Sequence, residues 1–241
     1  VASPDDVATL ERTLRDIVAV AYRELAERWG ELVTDAPGPS TDALAAYLPD
    51  LVERYADAAG AVAADWYDDL RDAAGAPGRY RAVVAEPPPA EQVESTARWA
   101  AGPLWAAEPD DRRALLLVAG AIQRLIAQGA RDTIATNTER DQQSGVRWAR
   151  MPRGPNPCAF CRMLASRGAV YRSHRTAAYR RRTQAKYHDR CWCIPVPVWP
   201  GQTEPYDVNK YRQEYVNARA EAASGDPREI LSAMREQLGV H

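Results

Sequence analysis

Every cysteine in this 241-residue chain lies in one of two short clusters, and any fold must bring those clusters together or leave four thiols without a role. Cys158 and Cys161 form a C-x-x-C. After 26 intervening residues, His188, Cys191 and Cys193 form an H-x-x-C-x-C. Structural zinc takes four tetrahedral thiolate or imidazole ligands, usually as two knuckles separated by a longer loop. The chain offers five candidates, Cys158, Cys161, His188, Cys191 and Cys193, one more than the ion needs. Which four are used stays open: His188 with Cys191 makes a natural knuckle, yet Cys191 and Cys193 at alternate positions can both reach a metal and leave His188 behind them. Pro155 and Pro157 precede the first knuckle, and Ile194 to Trp199 follow the second with the Pro-punctuated apolar pattern of a short edge strand. Two disulfides, or a reactive cysteine with His188 as its base, are the competing readings. Clustering of all the cysteines favours the metal.

The charge is unevenly distributed. Formal net charge is −2, but residues 1–145 carry 14 basic against 25 acidic side chains, a net of −11, and residues 146–241 carry 17 against 8, a net of +9. Between Arg147 and Arg190 the only acid is Asp189. A basic face of Arg147, Arg150, Arg153, Arg172, Arg175, Arg180, Arg181, Arg182, Lys186 and Arg190 is therefore expected. It suits phosphates or an acidic protein surface, and it can also offset thiolate charge or mate with the acidic half of this chain or of a neighbouring copy. Such electrostatics carry no base specificity.

Hydrophobic residues make up 46% of the chain, enough for a substantial core. No apolar run is long enough to span a membrane and no leader pattern opens the sequence, so folding in a cytoplasm is expected. Ser3-Pro4-Asp5-Asp6 reads as a capped helix start, and Val7, Leu10, Leu14, Ile17, Ala21 and Leu25 draw one apolar stripe ending near Trp29 and Gly30. A Pro/Gly/Ser turn at 36–40 leads to a second stripe from Leu44 to Leu70, with Pro49 kinking it or resetting its start. These two helices are expected to pair as an antiparallel hairpin. The organisation predicted is a helical hairpin over 1–75, a Pro/Gly connector over 76–89, a helical segment over 90–145 with Leu115, Val118, Ile122, Ile126 and Ile134 inward, a basic Cys/His zinc module over 146–205 and C-terminal helices over 206–241. The fold class is thus mainly α: long amphipathic helices in a hairpin or bundle scaffold that carries a small zinc-stapled module with short β segments. The zinc would be structural and contribute folding energy directly.

The run from Pro157 to Tyr171, with His188-Asp189-Arg190-Cys191-Trp192-Cys193 and Val196-Pro197-Val198-Trp199, resembles the MuF-like minor head proteins of tailed bacteriophages, especially actinobacterial ones. Those proteins show C-x-x-C followed by H-P-x-C-x-C; here Asp189 stands where the proline is usual, which makes the turn between His188 and Cys191 harder to foresee. The resemblance implies a low-copy virion protein that joins the phage head at or near the portal, in several copies, and touches packaged double-stranded DNA. Some relatives are, or are fused to, capsid maturation proteases. This chain has no G-x-S-x-G, no H-E-x-x-H, and no Glu between Arg147 and Cys193 to serve a zinc hydrolase as base. A structural role is therefore expected and no catalytic residue is assigned. A sequence-nonspecific nucleic-acid-binding zinc module is the first alternative, and a capsid maturation protease or other zinc hydrolase the second and weaker one.

Overall fold

The computed structural model describes residues 2–173 and 187–240. Helix α1 (Pro4–Leu32) opens with a capping box in which Ser3 Oγ accepts from Asp6 N–H at 3.1 Å and Asp6 Oδ2 accepts from Ser3 N–H at 2.8 Å. That pair contributes about 1 kcal/mol to the helix start. Val7, Leu10, Leu14, Ala21 and Leu25 are buried, and the helix runs two residues past Gly30.

Helix α2 (Pro37–Ala73) begins inside the segment whose composition suggests a turn. Pro37 and Pro39 sit in the first helical turn, where backbone N–H groups have no intrahelical acceptor, so proline costs nothing there. Ser40 fastens that turn: its hydroxyl donates to Ala36 O at 2.8 Å and accepts from Thr34 N–H at 2.9 Å. The helix continues through Pro49 without a break.

The main partner of α2 is α4 (Asp111–Arg140) rather than α1. Small residues set that crossing. A Cβ on Gly129 would run into the carbonyl oxygen of Ala56, and one on Gly60 would sit 3.1 Å from Thr133 Oγ1 of α4. The expected two-helix hairpin is therefore part of a bundle built on the α2–α4 pair, with α1 and α3 (Ala90–Ala100) packed against both, mainly against α2. A 3-10 turn at Gly102–Trp105 joins α3 to α4.

Residues 74–89 contain no regular element, but they are firmly held. Asn137 on α4 acts as a strand partner for Val83: its Oδ1 accepts from Val83 N–H at 2.9 Å and its Nδ2 donates to Val83 O at 2.7 Å. Thr133 Oγ1 accepts from Ala85 N–H at 3.0 Å. Arg71 donates to the carbonyls of Pro77 and Gly78 and pairs with Asp141 Oδ2 at 2.9 Å.

Beyond α4, strands β1 (Arg147–Met151) and β2 (Ile194–Val198) pair antiparallel, Arg147 opposite Val198 and Met151 opposite Ile194. Pro195 and Pro197 fall opposite Arg150 and Trp148. Trp148 turns its backbone groups the other way, its N–H donating to Tyr171 O at 2.8 Å. Pro197 thus lies where a ladder bond is not required. Met151, Ile194, Val196 and Trp199 join the core of the helical bundle, so the small sheet is seated on it. Helix α5 (Ala159–Ala165) packs on the hairpin of α6 (Val208–Glu221) and α7 (Pro227–Leu238) through Ala159, Ala218, Ile230 and Met234. The architecture is mainly helical with one two-stranded sheet among the described residues. No described helix is long and apolar enough to cross a membrane.

Candidate metal centre

Four buried, free thiols meet between the bundle and the α5 side of the sheet: Cys158, Cys161, Cys191 and Cys193. Cys158 is the N-cap of α5, where its Sγ accepts from Cys161 N–H at 3.5 Å and the positive helix end favours a thiolate. One turn on, Cys161 points into the same space. The other two arrive from the segment leading into β2. A tight turn closes with Cys191 N–H donating to His188 O at 3.1 Å, and Arg190 takes the left-handed conformation there (φ 64°). Asp189 in the place of the usual proline therefore leaves a compact knuckle.

The sulfurs of Cys161, Cys191 and Cys193 lie within 4.8 Å of one another, and Cys161 and Cys191 are 3.8 Å apart. A disulfide needs about 2.0 Å. A tetrahedral ion with Zn–S bonds of about 2.3 Å separates its sulfurs by about 3.8 Å. The spacing is that of ligands around an ion. Donors converge on the sulfurs as well: Arg153 N–H approaches Cys193 Sγ at 3.4 Å, and Arg150 Nη1 approaches Cys161 Sγ at 3.5 Å. Such donors favour thiolates over thiols.

The acidities divide the cluster. Hydrogen bonding with Cys161 draws Cys158 down to about 7. For Cys161 the bond with Cys158 acts in the opposite sense, but those with Cys191 and Cys193 outweigh it and bring it to about 7. Hydrogen bonding with Cys161 pushes Cys191 up, and bonds to both Cys161 and Cys191 push Cys193 well above the usual thiol range. Four adjacent thiolates repel, and a divalent cation is the partner that lets all of them ionise. The spacing of Cys161, Cys191 and Cys193 fits a metal ion, and Cys158 packs beside that group.

The bundle holds the second knuckle from behind. On α4, Gln123 Nε2 donates to Cys191 O at 2.9 Å, Arg131 Nε donates to Cys193 O at 3.0 Å and Arg131 Nη2 also reaches Cys191 O. Arg124 pairs with Asp189 at 2.7 Å, and Arg15 of α1 stacks on Trp192 at 4.1 Å. These contacts are not evident from the cysteine motif. The available signal is slight: Gln123 and Arg131 stand eight residues apart on α4, among the buried Ile122, Ile126 and Ile134. A cavity of about 500 Å³ opens beside the cluster, lined among others by Leu117, Gly120, Pro155, His188 and Trp192. His188 Nδ1 lies 2.7 Å from the carbonyl of Asp189.

The expected basic face divides. Arg172 and Arg190 are exposed and Arg147 is half-buried. Arg153 forms an ion pair with Glu11 of α1. Arg150 is a correction: it is fully buried beside Cys161 and over the Tyr187 ring, because its strand position points into the sulfur cluster, and it cannot meet a phosphate from there. Arg175, Arg180, Arg181, Arg182 and Lys186 lie outside the described residues.

Comparison with known families places the chain: residues 1–218 match the family described as VG15 protein. The chain belongs to that family, and is thus a phage virion-associated protein. This supports the phage virion part of the resemblance drawn from the cysteine motif, and the family it names is VG15. No curated protein and no solved structure matches the chain.

Proposed function

We propose that this chain is a low-copy minor capsid protein acting in head morphogenesis, akin to the MuF-like proteins, and that a zinc ion staples its second half onto the helical bundle. The observation that carries the reading is the buried four-cysteine cluster at the junction of bundle and module, with α4 side chains holding the backbone of Cys191 and Cys193. A staple at that junction fixes one surface relative to the other, which a protein bridging portal and inner shell requires. Burial of all four sulfurs suits a closed structural site, whereas catalytic zinc keeps a position open to substrate. The role is accordingly architectural and not enzymatic. Several copies arranged around the portal vertex, inside the virion, fit this part.

The exposed Arg172 and Arg190, with Arg147, support contact with packaged DNA or an acidic face of a neighbouring head protein. The test is incorporation. Phage heads assembled with Cys161→Ala protein are expected to lack it, while those assembled with Arg172→Ala protein retain it. Normal incorporation of folded Cys161→Ala protein would refute the staple as the basis of assembly.

A further inference from the structure

Arg131 and Arg150 are 2% and 0% exposed, and both face the sulfur cluster. They come from different parts of the fold, α4 and β1, and their guanidiniums lie 3.8 and 3.9 Å from the centroid of the Tyr187 ring. Arg150 reaches Cys161 Sγ, and Arg131 holds the carbonyls of Cys191 and Cys193. Among the described carboxylates near the module, Asp189 pairs with Arg124, Glu11 with Arg153 and Glu214 with Arg162, and Glu204 accepts from Ala169 N–H.

A guanidinium does not lose its proton in a protein, so both charges persist in the interior. Burying them is strongly unfavourable unless opposite charge is close. The candidate ligand sets differ in the charge they supply. Zinc with four thiolates carries two net negative charges; with three thiolates and an imidazole it carries one. Only the first balances two arginines.

Resting on the metal reading above, we infer that Arg131 and Arg150 are the charge-balancing pair of a four-thiolate zinc centre, with Cys158, Cys161, Cys191 and Cys193 as ligands and His188 outside the set. The two arginines are positioning residues. Arg150 orients and stabilises the Cys161 thiolate, and Arg131 fixes the backbone that presents Cys191 and Cys193. Tyr187 keeps the two guanidiniums in place through its ring face.

The test uses full-length protein loaded with zinc or with cobalt(II), whose visible absorption distinguishes four thiolates from three thiolates and an imidazole. His188→Ala is expected to bind one metal with an unchanged four-thiolate spectrum. Arg131→Met and Arg150→Met are expected to weaken zinc binding about 10- to 100-fold in competition with a chelator, as loss of groups supporting metal ligands does. Arg150→Lys, which keeps the charge, is expected to recover part of that loss. A spectrum that changes in His188→Ala, or methionine variants that bind zinc as tightly as the parent, would overturn the inference. Should the methionine variants fail to fold, the His188→Ala spectrum decides the ligand set alone. Parent protein that binds neither metal would overturn the metal reading itself, whereas a parent with a three-thiolate spectrum would overturn only the charge-balanced set.

Discussion

Removing the charge of Asp141 tests whether the bundle depends on its buried ion pair. Arg71 and Asp141 join the end of α2 to the end of α4, with side chains 6% and 4% exposed and an N···O distance of 2.9 Å. Tyr67 also donates to Asp141 Oδ2, at 3.3 Å. Asp141→Asn keeps the shape but leaves the Arg71 guanidinium buried with its carbonyl partners alone. Breaking one partner of such a pair costs about 3–5 kcal/mol. In a domain of this size each kcal/mol shifts Tm by about 2–4 °C, so a fall of roughly 6–20 °C is expected in a thermal melt of the purified protein. Because the cost is that of an orphaned charge, Arg71→Met combined with Asp141→Leu is expected to be more stable than Asp141→Asn alone. A Tm within about 2 °C of the parent for Asp141→Asn, or a double variant at least as damaged as the single, would refute the reasoning.

Three further outcomes follow from particular features of the structure. Asn137→Ala strips Val83 of both side-chain partners, and its uncovered N–H is expected to exchange much faster in hydrogen-exchange measurements, with stability lower by about 1–3 kcal/mol; unchanged protection at Val83 would contradict the pinned connector. Gly129→Val drives a side chain into the Ala56 carbonyl, and a loss of about 1–3 kcal/mol in denaturant unfolding is expected, with a parent-like melt marking the crossing as looser than described. Double-stranded DNA is expected to bind regardless of sequence and more weakly as salt rises, and Arg172→Ala with Arg190→Ala to make the log–log salt dependence shallower by about one for each phosphate the protein no longer neutralises. An unchanged slope would assign those arginines to a protein partner.

Much of the scaffold is legible in the chain because each signal is local. The Ser3–Asp6 box and the stripe from Val7 to Leu25 need only their own helix to be interpreted. The start of α2 is less so, since Pro37, Gly38 and Pro39 fit a turn and a helical first turn equally, and Ser40 bonding to Ala36 and Thr34 decides between them. α4 hides its role for another reason: covered on several sides, it buries Thr133 and Asn137 along with Leu125 and its isoleucines, so no single stripe describes it. At the candidate metal centre the cysteine spacing marks which thiols come together, Cys161, Cys191 and Cys193 among them. It does not indicate that Arg150 turns inward, because residue type alone makes an arginine in a basic run look solvated, and only the pairing of β1 with β2 sets which way it faces.

The most direct test of the zinc staple is the metal content of the purified full-length protein, with a thiol count before and after denaturation with chelator. About one zinc per chain, with four thiols that react only after chelation, is the predicted result. Metal-free protein whose cysteines react freely while residues 146–200 stay folded would contradict the staple on which the proposed virion role rests.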